Sequence, residues 1–285
     1  MARRGQLAVA AAVAAVAALP LVYLAAVHLG PVRWLDAAML NGFTNLDGPA
    51  VHGPARFVAR LCDPDRFVWF VAALVAVALL RRRPRTAAAV LVVLAGSGLT
   101  TQLLKPALAT ERHSPLLDDV GQVISASWPS GHATASMGLA LCAVLVAPAR
   151  LRAWTAALGA VFAVAVTFSF LTLDWHYPSD VLGGFLVAAA WALTAVAVLT
   201  WAERRWPHPQ RSRTARQPLR EQLAPAGVTA ASGLLLATMV LLARPRQTLD
   251  YAAEHTAFVA GAGALAAAAL ALAVGLGVLL RAPRR

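Results

Sequence analysis

Eight apolar stretches, each close to the ~20 residues that a bilayer core demands, constrain this chain more than anything else in it. They run over Leu7–Val27, Pro64–Leu80, Thr86–Leu104, Ala133–Ala149, Ala153–Leu173, Asp180–Trp201, Ala224–Ala243 and Thr256–Leu280. Each reads as a membrane-crossing helix. The composition leaves no other solvent for them. Apolar residues make up 59% of the 285 and charged residues 13%, so a soluble fold of this size could not hide its apolar surface. That excludes a cytosolic enzyme, a disordered tail and a disulfide-stapled secreted module. The second stretch is the weakest, being purely apolar only from Phe67, but Asp63 at the N-cap and Pro64 at the first helical position support it. The first is too long for a signal-peptide core and reads as a retained helix.

The net charge of +12 is distributed as a topology signal. Basic residues sit in short clusters between apolar runs, such as Arg81-Arg82-Arg83-Pro84-Arg85 and the stretch from Arg204 to Arg220, so no nucleic-acid partner is expected. With the N-terminus inside, inner segments hold 17 of the 25 basic residues, and only Glu203 and Glu221 of the 13 acidic ones. The expected protein is multi-pass in the cell membrane, with both termini cytoplasmic. Val32–Arg60, with Trp34, Leu35, Ala38 and Met39 at helical spacing, reads as an interfacial helix. Residues 202–223 read as a flexible basic linker between a six-helix unit (1–201) and a final helix pair (224–285). Cys62 and Cys142 are far apart and offer no disulfide framework.

Polar groups gather in three places, all on the outer side under this topology. Lys105, the only lysine against 24 arginines, ends the third stretch, and Arg112 follows seven residues later. Were the helix to continue, the two cations would align on one face, suited to a multiply charged anion. Pro129-Ser130-Gly131-His132 opens the fourth helix: Ser130 caps, Gly131 bares backbone, and the helix N-terminus favours a phosphate. In His176-Tyr177-Pro178-Ser179-Asp180, Asp180 can accept from one imidazole nitrogen of His176 and leave the other free to attack.

These residues resemble the signatures of the type-2 phosphatidic acid phosphatase superfamily, the lipid phosphate phosphatases. Those signatures are Lys-(six residues)-Arg-Pro, Pro-Ser-Gly-His and Ser-Arg-(five residues)-His-(three residues)-Asp. Here they are matched by Lys105 with Arg112, by Pro129-Ser130-Gly131-His132, and by Ser169 with His176 and Asp180. The chain departs twice: His113 stands in place of Pro, and Phe170 in place of the third signature's phosphate-binding Arg.

The resemblance implies an all-α polytopic bundle, a six-helix phosphatase core plus a C-terminal pair. It implies metal-independent hydrolysis of a lipid or polyprenyl phosphate or diphosphate at the extracytoplasmic face. His176 would attack phosphorus with Asp180 orienting it, and His132 would protonate the leaving oxygen and later activate water. Lys105, Arg112, Ser130 and Gly131 would bind the phosphate oxygens. No metal cluster or Gly-rich nucleotide loop stands out, so no cofactor is expected, and the partners are the lipid substrate and membrane lipids. The main alternative is a catalytically silent scaffold of the same fold, supported by Phe170. A transporter is disfavoured, because these polar groups lie at helix ends rather than at mid-membrane. Arg66, Arg244 and Arg246 are the outer arginines that could replace the missing cation.

Overall fold

A computed structural model describes residues 2–112, 114–117, 123–207 and 218–281. His113 and the central part of the basic linker, 208–217, lie outside the described residues. Among those described, the chain forms eleven α-helices, three short 3-10 turns and no strand. The helices are α1 (Ala2–His28), α2 (Gly30–Thr44), α3 (His52–Ala59), α4 (Pro64–Leu80), α5 (Pro84–Ala107), α6 (Gly131–Val146), α7 (Arg152–Thr172), α8 (Pro178–Arg205), α9 (Leu219–Ala243), α10 (Pro245–Glu254) and α11 (Thr256–Leu279).

Every predicted apolar stretch is a helix, because a backbone in lipid must satisfy its own hydrogen bonds. Among the described residues, seven segments are long and apolar enough to cross a membrane: α1, α5, Ser125–Val146, α7, α8, α9 and α11. This is a multi-pass membrane protein. The expected eighth span, α4, has 17 residues, at the lower edge of what a bilayer core requires.

Helix α6 is the hub, buried on nearly every side by α5, α7, α8 and α11. A helix that is apolar all round belongs in such a position. Two glycines let α8 come close to the chain that enters α6. A Cβ on Gly183 would sit 2.8 Å from the Trp128 ring, and one on Gly184 2.7 Å from the Ser130 carbonyl. Any side chain there would push the starts of α6 and α8 apart.

Within residues 32–60, where one interfacial helix is expected, the chain forms two helices, α2 and α3. Trp34 and Leu35 are exposed, whereas Asp36, Ala37, Leu40 and Phe43 face inward. Phe43 packs against Phe168 of α7 and Phe258 of α11, which fixes the inward face. Helix α11 lies against α7, α2 and α6, and Tyr251 of α10 donates to the Gly42 carbonyl. The C-terminal helices therefore brace α2.

Candidate active site

The polar groups meet at one end of the bundle, where α6 and α8 begin and α5 ends. Ser130 caps α6, its hydroxyl accepting from the Ala133 N–H at 3.3 Å. Its own N–H donates to the Asp180 carbonyl at 2.9 Å, tying the two helix starts together. Pro178 occupies the first turn of α8, and the Asp180 carboxylate accepts from the Tyr177 N–H at 3.1 Å.

That geometry aims the side chains. His176 Nδ1 lies 3.3 Å from Asp180 Oδ2, so Nε2 is the ring nitrogen left for chemistry. His176 is 5% exposed, and burial pushes its pKa below the ordinary histidine value although Asp180 works against this. The neutral ring, the form with a free lone pair, is favoured.

Arg112 arrives on a loop, so it does not share a helix face with Lys105. Helix α5 stops at Ala107, with Pro106 withdrawing a donor in its last turn, and residues 109–112 run on as a loop. The loop is pinned by Thr110 N–H donating to the Ser125 carbonyl and by the Tyr177 hydroxyl donating to the Arg112 carbonyl at 2.7 Å. The Arg112 guanidinium donates to Asp180 Oδ1, Ser127 Oγ (2.7 Å), Ser179 Oγ (3.0 Å) and Asp36 Oδ2 (3.4 Å). It also stacks over the Tyr177 ring, 4.1 Å from the centroid. Burial opposes its charge, but Asp180 and Asp36 outweigh that and hold the guanidinium above its ordinary value.

Lys105 is placed differently. It makes no hydrogen bond or ion pair among the described residues, and a Cβ on Gly131 would stand 3.9 Å from its Nζ. The ammonium thus faces the bared backbone at the start of α6. Two carboxylates already neutralise Arg112, so Lys105 is the cation left open for an anion.

Two acidic groups matter here that sequence reasoning passed over. Asp36 accepts from the Ser179 N–H (2.8 Å) and hydroxyl (2.6 Å). Burial pushes its carboxyl up to about 6, against the opposing pull of Arg112. Asp63 was read as the N-cap of α4, and it does occupy that position, but it makes no side-chain cap. Its carboxylate lies 3.0 Å from His132 Nε2 instead. The available signal was that Asp63 starts a span on the same face as the histidines. For Asp36 the sequence carries none, since nothing marks which face of α2 turns inward.

Phe170 is fully buried among the site's rings. Its centroid is 5.3 Å from His176, edge-on, and 6.0 Å from His132, and Trp175 adds a second contact to His132 at 5.4 Å. Where the resembled signature has a cation, this chain has an apolar wall between the two histidines. Of the three arginines that could replace the missing cation, Arg66 has a buried Nη1 without a partner and stacks on Phe57, while Arg244 and Arg246 are exposed at the α9–α10 corner. None of the contacts found for these three reaches the site. Among the described residues, no three His, Cys, Asp or Glu side chains cluster as a metal site.

Residues 86–207 match the model of the PAP2 superfamily. The fold is similar to that of the crystal structure of the first transmembrane PAP2-type phosphatidylglycerolphosphate phosphatase, from Bacillus subtilis. That match has a TM-score of 0.54 and 19% sequence identity, and covers 70% of this chain and 99% of the other. No curated protein sequence matches. The segment from Thr86 to Pro207, which spans α5 to α8 and holds Lys105, His132, His176 and Asp180, is the part of the chain that is similar to the PAP2 superfamily.

Proposed function

We propose that this protein is a membrane phosphatase that hydrolyses a lipid or polyprenyl phosphate or diphosphate at the extracytoplasmic face. The observation that carries this reading is the pairing of a buried, neutral-favouring His176 with Asp180 while the open ammonium of Lys105 faces the start of α6.

Chemistry follows from the placement. The phosphoryl group would lie over the N-terminus of α6, its oxygens held by Lys105 and the bare N–H groups near Gly131. His176 Nε2 attacks the terminal phosphorus, a P–N bond forms, and the bond to the leaving oxygen breaks, which is the lipid oxygen of a monophosphate or the bridging oxygen of a diphosphate. Asp180 accepts from Nδ1–H and stabilises the imidazolium character that develops. His132 supplies the proton to the leaving oxygen. It then takes one from the water that cleaves the phosphohistidine, returning His176 and releasing inorganic phosphate. Asp63 fixes the His132 ring, and Arg112 with Asp36 fixes Asp180 and Ser179, so their parts are positioning ones.

The reaction class is tested by phosphate release in detergent from a panel of lipid monophosphates and diphosphates, with and without chelator, and by trapping a radiolabelled phosphoenzyme. Turnover with an acid-labile, alkali-stable label that His176→Ala lacks supports the reading. Activity abolished by chelator and restored by metal overturns its metal-independent form. The silent scaffold is the second reading, favoured by the apolar wall of Phe170. An inactive wild type that stays inactive as Phe170→Arg selects it.

The proposed sidedness is tested with single introduced cysteines, Ser114→Cys outside and Trp206→Cys inside. Cys62 is a poor reporter, because it is buried and burial pushes its thiol up to about 12. Impermeant reagent on intact cells should reach position 114 and miss 206, and the reverse result places the site in the cytoplasm.

A further inference from the structure

Helix α1 reaches the candidate site through one side chain. Tyr23, near the C-terminal end of α1, has its hydroxyl 2.9 Å from Thr110 Oγ1 and 3.2 Å from the Leu108 carbonyl, to which Thr110 Oγ1 also comes within 3.3 Å. Whichever hydroxyl donates to the carbonyl, the other can donate to its fellow hydroxyl. The ring is engaged as well. Its centroid lies 5.1 Å from that of Trp128, with the planes tilted by 56°. Trp128 is buried, lies against Gly183 of α8, and follows Ser127, whose hydroxyl accepts from Arg112.

These contacts act on the loop that delivers Arg112. The last helical bond of α5 runs from the Leu108 N–H to the Leu104 carbonyl, and the chain then leaves the helix. Three holds follow along it. Tyr23 takes Leu108 and Thr110, the Ser125 carbonyl accepts from the Thr110 N–H, and the Tyr177 hydroxyl donates to the Arg112 carbonyl. A tyrosine near a membrane boundary ordinarily turns its hydroxyl to the headgroups. Here the hydroxyl is committed to the loop, beside the segment that enters α6.

We propose that Tyr23 is a positioning residue for Arg112: it holds the 108–112 loop against Trp128 and so keeps the guanidinium on Asp180. Its effect on rate rests on the phosphatase reading, whereas its hold on the loop does not. Arg112 and His176 share the Asp180 carboxylate. The charged groups acting on His176 are Asp180, which favours the imidazolium, and Lys105 and His132, which oppose it. If Arg112 lets go, Asp180 favours the imidazolium more strongly, fewer rings are neutral at a given pH, and the acid limb of kcat/KM moves up.

The test uses the full-length protein in detergent and two variants that each remove one hydroxyl. Tyr23→Phe keeps the ring on Trp128, and Thr110→Val keeps the backbone N–H. In both, hydrogen exchange followed by mass spectrometry should speed up about 5–10-fold over residues 108–112 and 176–180, and stay unchanged over 261–277 of α11. The second segment should respond because the Tyr177 hydroxyl donates to Arg112 and the Tyr177 N–H to Asp180. With a lipid phosphate that the wild type hydrolyses, kcat/KM should fall about 10-fold and its acid limb should rise by about half a pH unit. Unchanged exchange at 108–112 overturns the proposal whether or not the protein is a phosphatase. Faster exchange there that stops short of 176–180 also overturns it, because Arg112 then keeps its grip without Tyr23. So does a lowered rate with the acid limb unmoved, which a general loss of folded protein would give. If both segments loosen while the wild type turns over no lipid phosphate, the phosphatase reading fails and the hold of Tyr23 on Arg112 is upheld.

Discussion

The two ends of this bundle solve the problem of charge at a membrane boundary in opposite ways. At the end that holds the candidate site, charges of both signs are buried together: Arg112 is clasped by Asp36 and Asp180, and Asp180 also holds His176. At the other end, Arg81 and Arg152 hang on carbonyls where α6 and α11 end. Buried groups of mixed sign fix one another's geometry, which a reacting site needs. Partly exposed groups of one sign fix little, but they attract anions and set orientation. Loss of one charge should therefore be felt very differently at the two ends.

The largest contrast is the first way to break that comparison. Asp180→Ala leaves the Arg112 guanidinium buried with one carboxylate instead of two, and should cost about 3–5 kcal/mol of stability together with all turnover. Arg81→Gln in neutral detergent should cost less than ~1 kcal/mol, because water replaces its carbonyl partner. Chemical denaturation of both variants in one detergent measures the difference. Similar costs would mean that the arginine cluster at the far end is as deeply structural as the site.

Next in size comes Asp63, which sharpens a distinction inside the site. His176 and its Asp180 are buried, whereas His132 and its Asp63 are a quarter to a third exposed. Asp63→Asn should lower kcat about 10–100-fold with KM nearly unchanged, since it loosens the ring that moves the proton without touching the phosphate cradle. Tm should move by no more than a degree or so. The alkaline limb of the pH profile should shift, which a merely structural role would not produce, and Asp63→Glu should recover part of the rate. A rise in KM with kcat intact would place Asp63 in substrate binding instead.

The pH profile supplies a smaller but directional effect. Burial lowers the His176 pKa, so the neutral nucleophile persists into more acid solution than for an ordinary histidine near 6.5. The acid limb of kcat/KM should accordingly fall below pH 6.5, with activity rising as pH increases through it. A limb clearly above 6.5 would mean that Asp180 outweighs burial and the resting ring is charged.

These contrasts also mark what was legible beforehand. The helices could be read because lipid forces a long apolar run into one conformation, and their sidedness could be argued from where arginines stop them. The site's core could be read because cap, nucleophile and carboxylate are local in sequence: Ser130 with Gly131, His176 with Asp180. What could not be read depends on contacts between distant segments. Nothing near Asp36 says that it meets Ser179, 143 positions away, and nothing near Asp63 says that it prefers His132 to its own helix end. Whether the helix continues to Arg112 stays open in the sequence, because spacing alone does not reveal where Pro106 lets the chain leave it. Phe170 was noticed as a missing cation, yet its contacts with both histidines could not be seen from a pattern that records only residue types.

The smallest expected effect concerns Asp174, two residues before His176, where the mixed-sign rule of this end fails. Both of its carboxylate oxygens are buried with no hydrogen-bond partner, and burial pushes its carboxyl from 3.8 to about 6. Its φ of 57° lies in the left-handed region, so the substitution that isolates charge is Asn, which tolerates that conformation. A folded pKa above the unfolded one means that wild-type stability is full below about pH 4, where the group is protonated in both states. It falls as pH rises toward 6 and stays reduced above that. The shift could forfeit up to ~3 kcal/mol, but the side chain is only partly buried, and screening leaves roughly 1 kcal/mol. Asp174→Asn should therefore match wild type near pH 4 and exceed it by about 2–4 °C in Tm at pH 8, with the difference opening between those limits. Titrations of Asp36 and the other carboxyls are common to both proteins and cancel in the comparison. A variant less stable than wild type at pH 8 would mean that the Asp174 charge has found a partner in the membrane-bound protein.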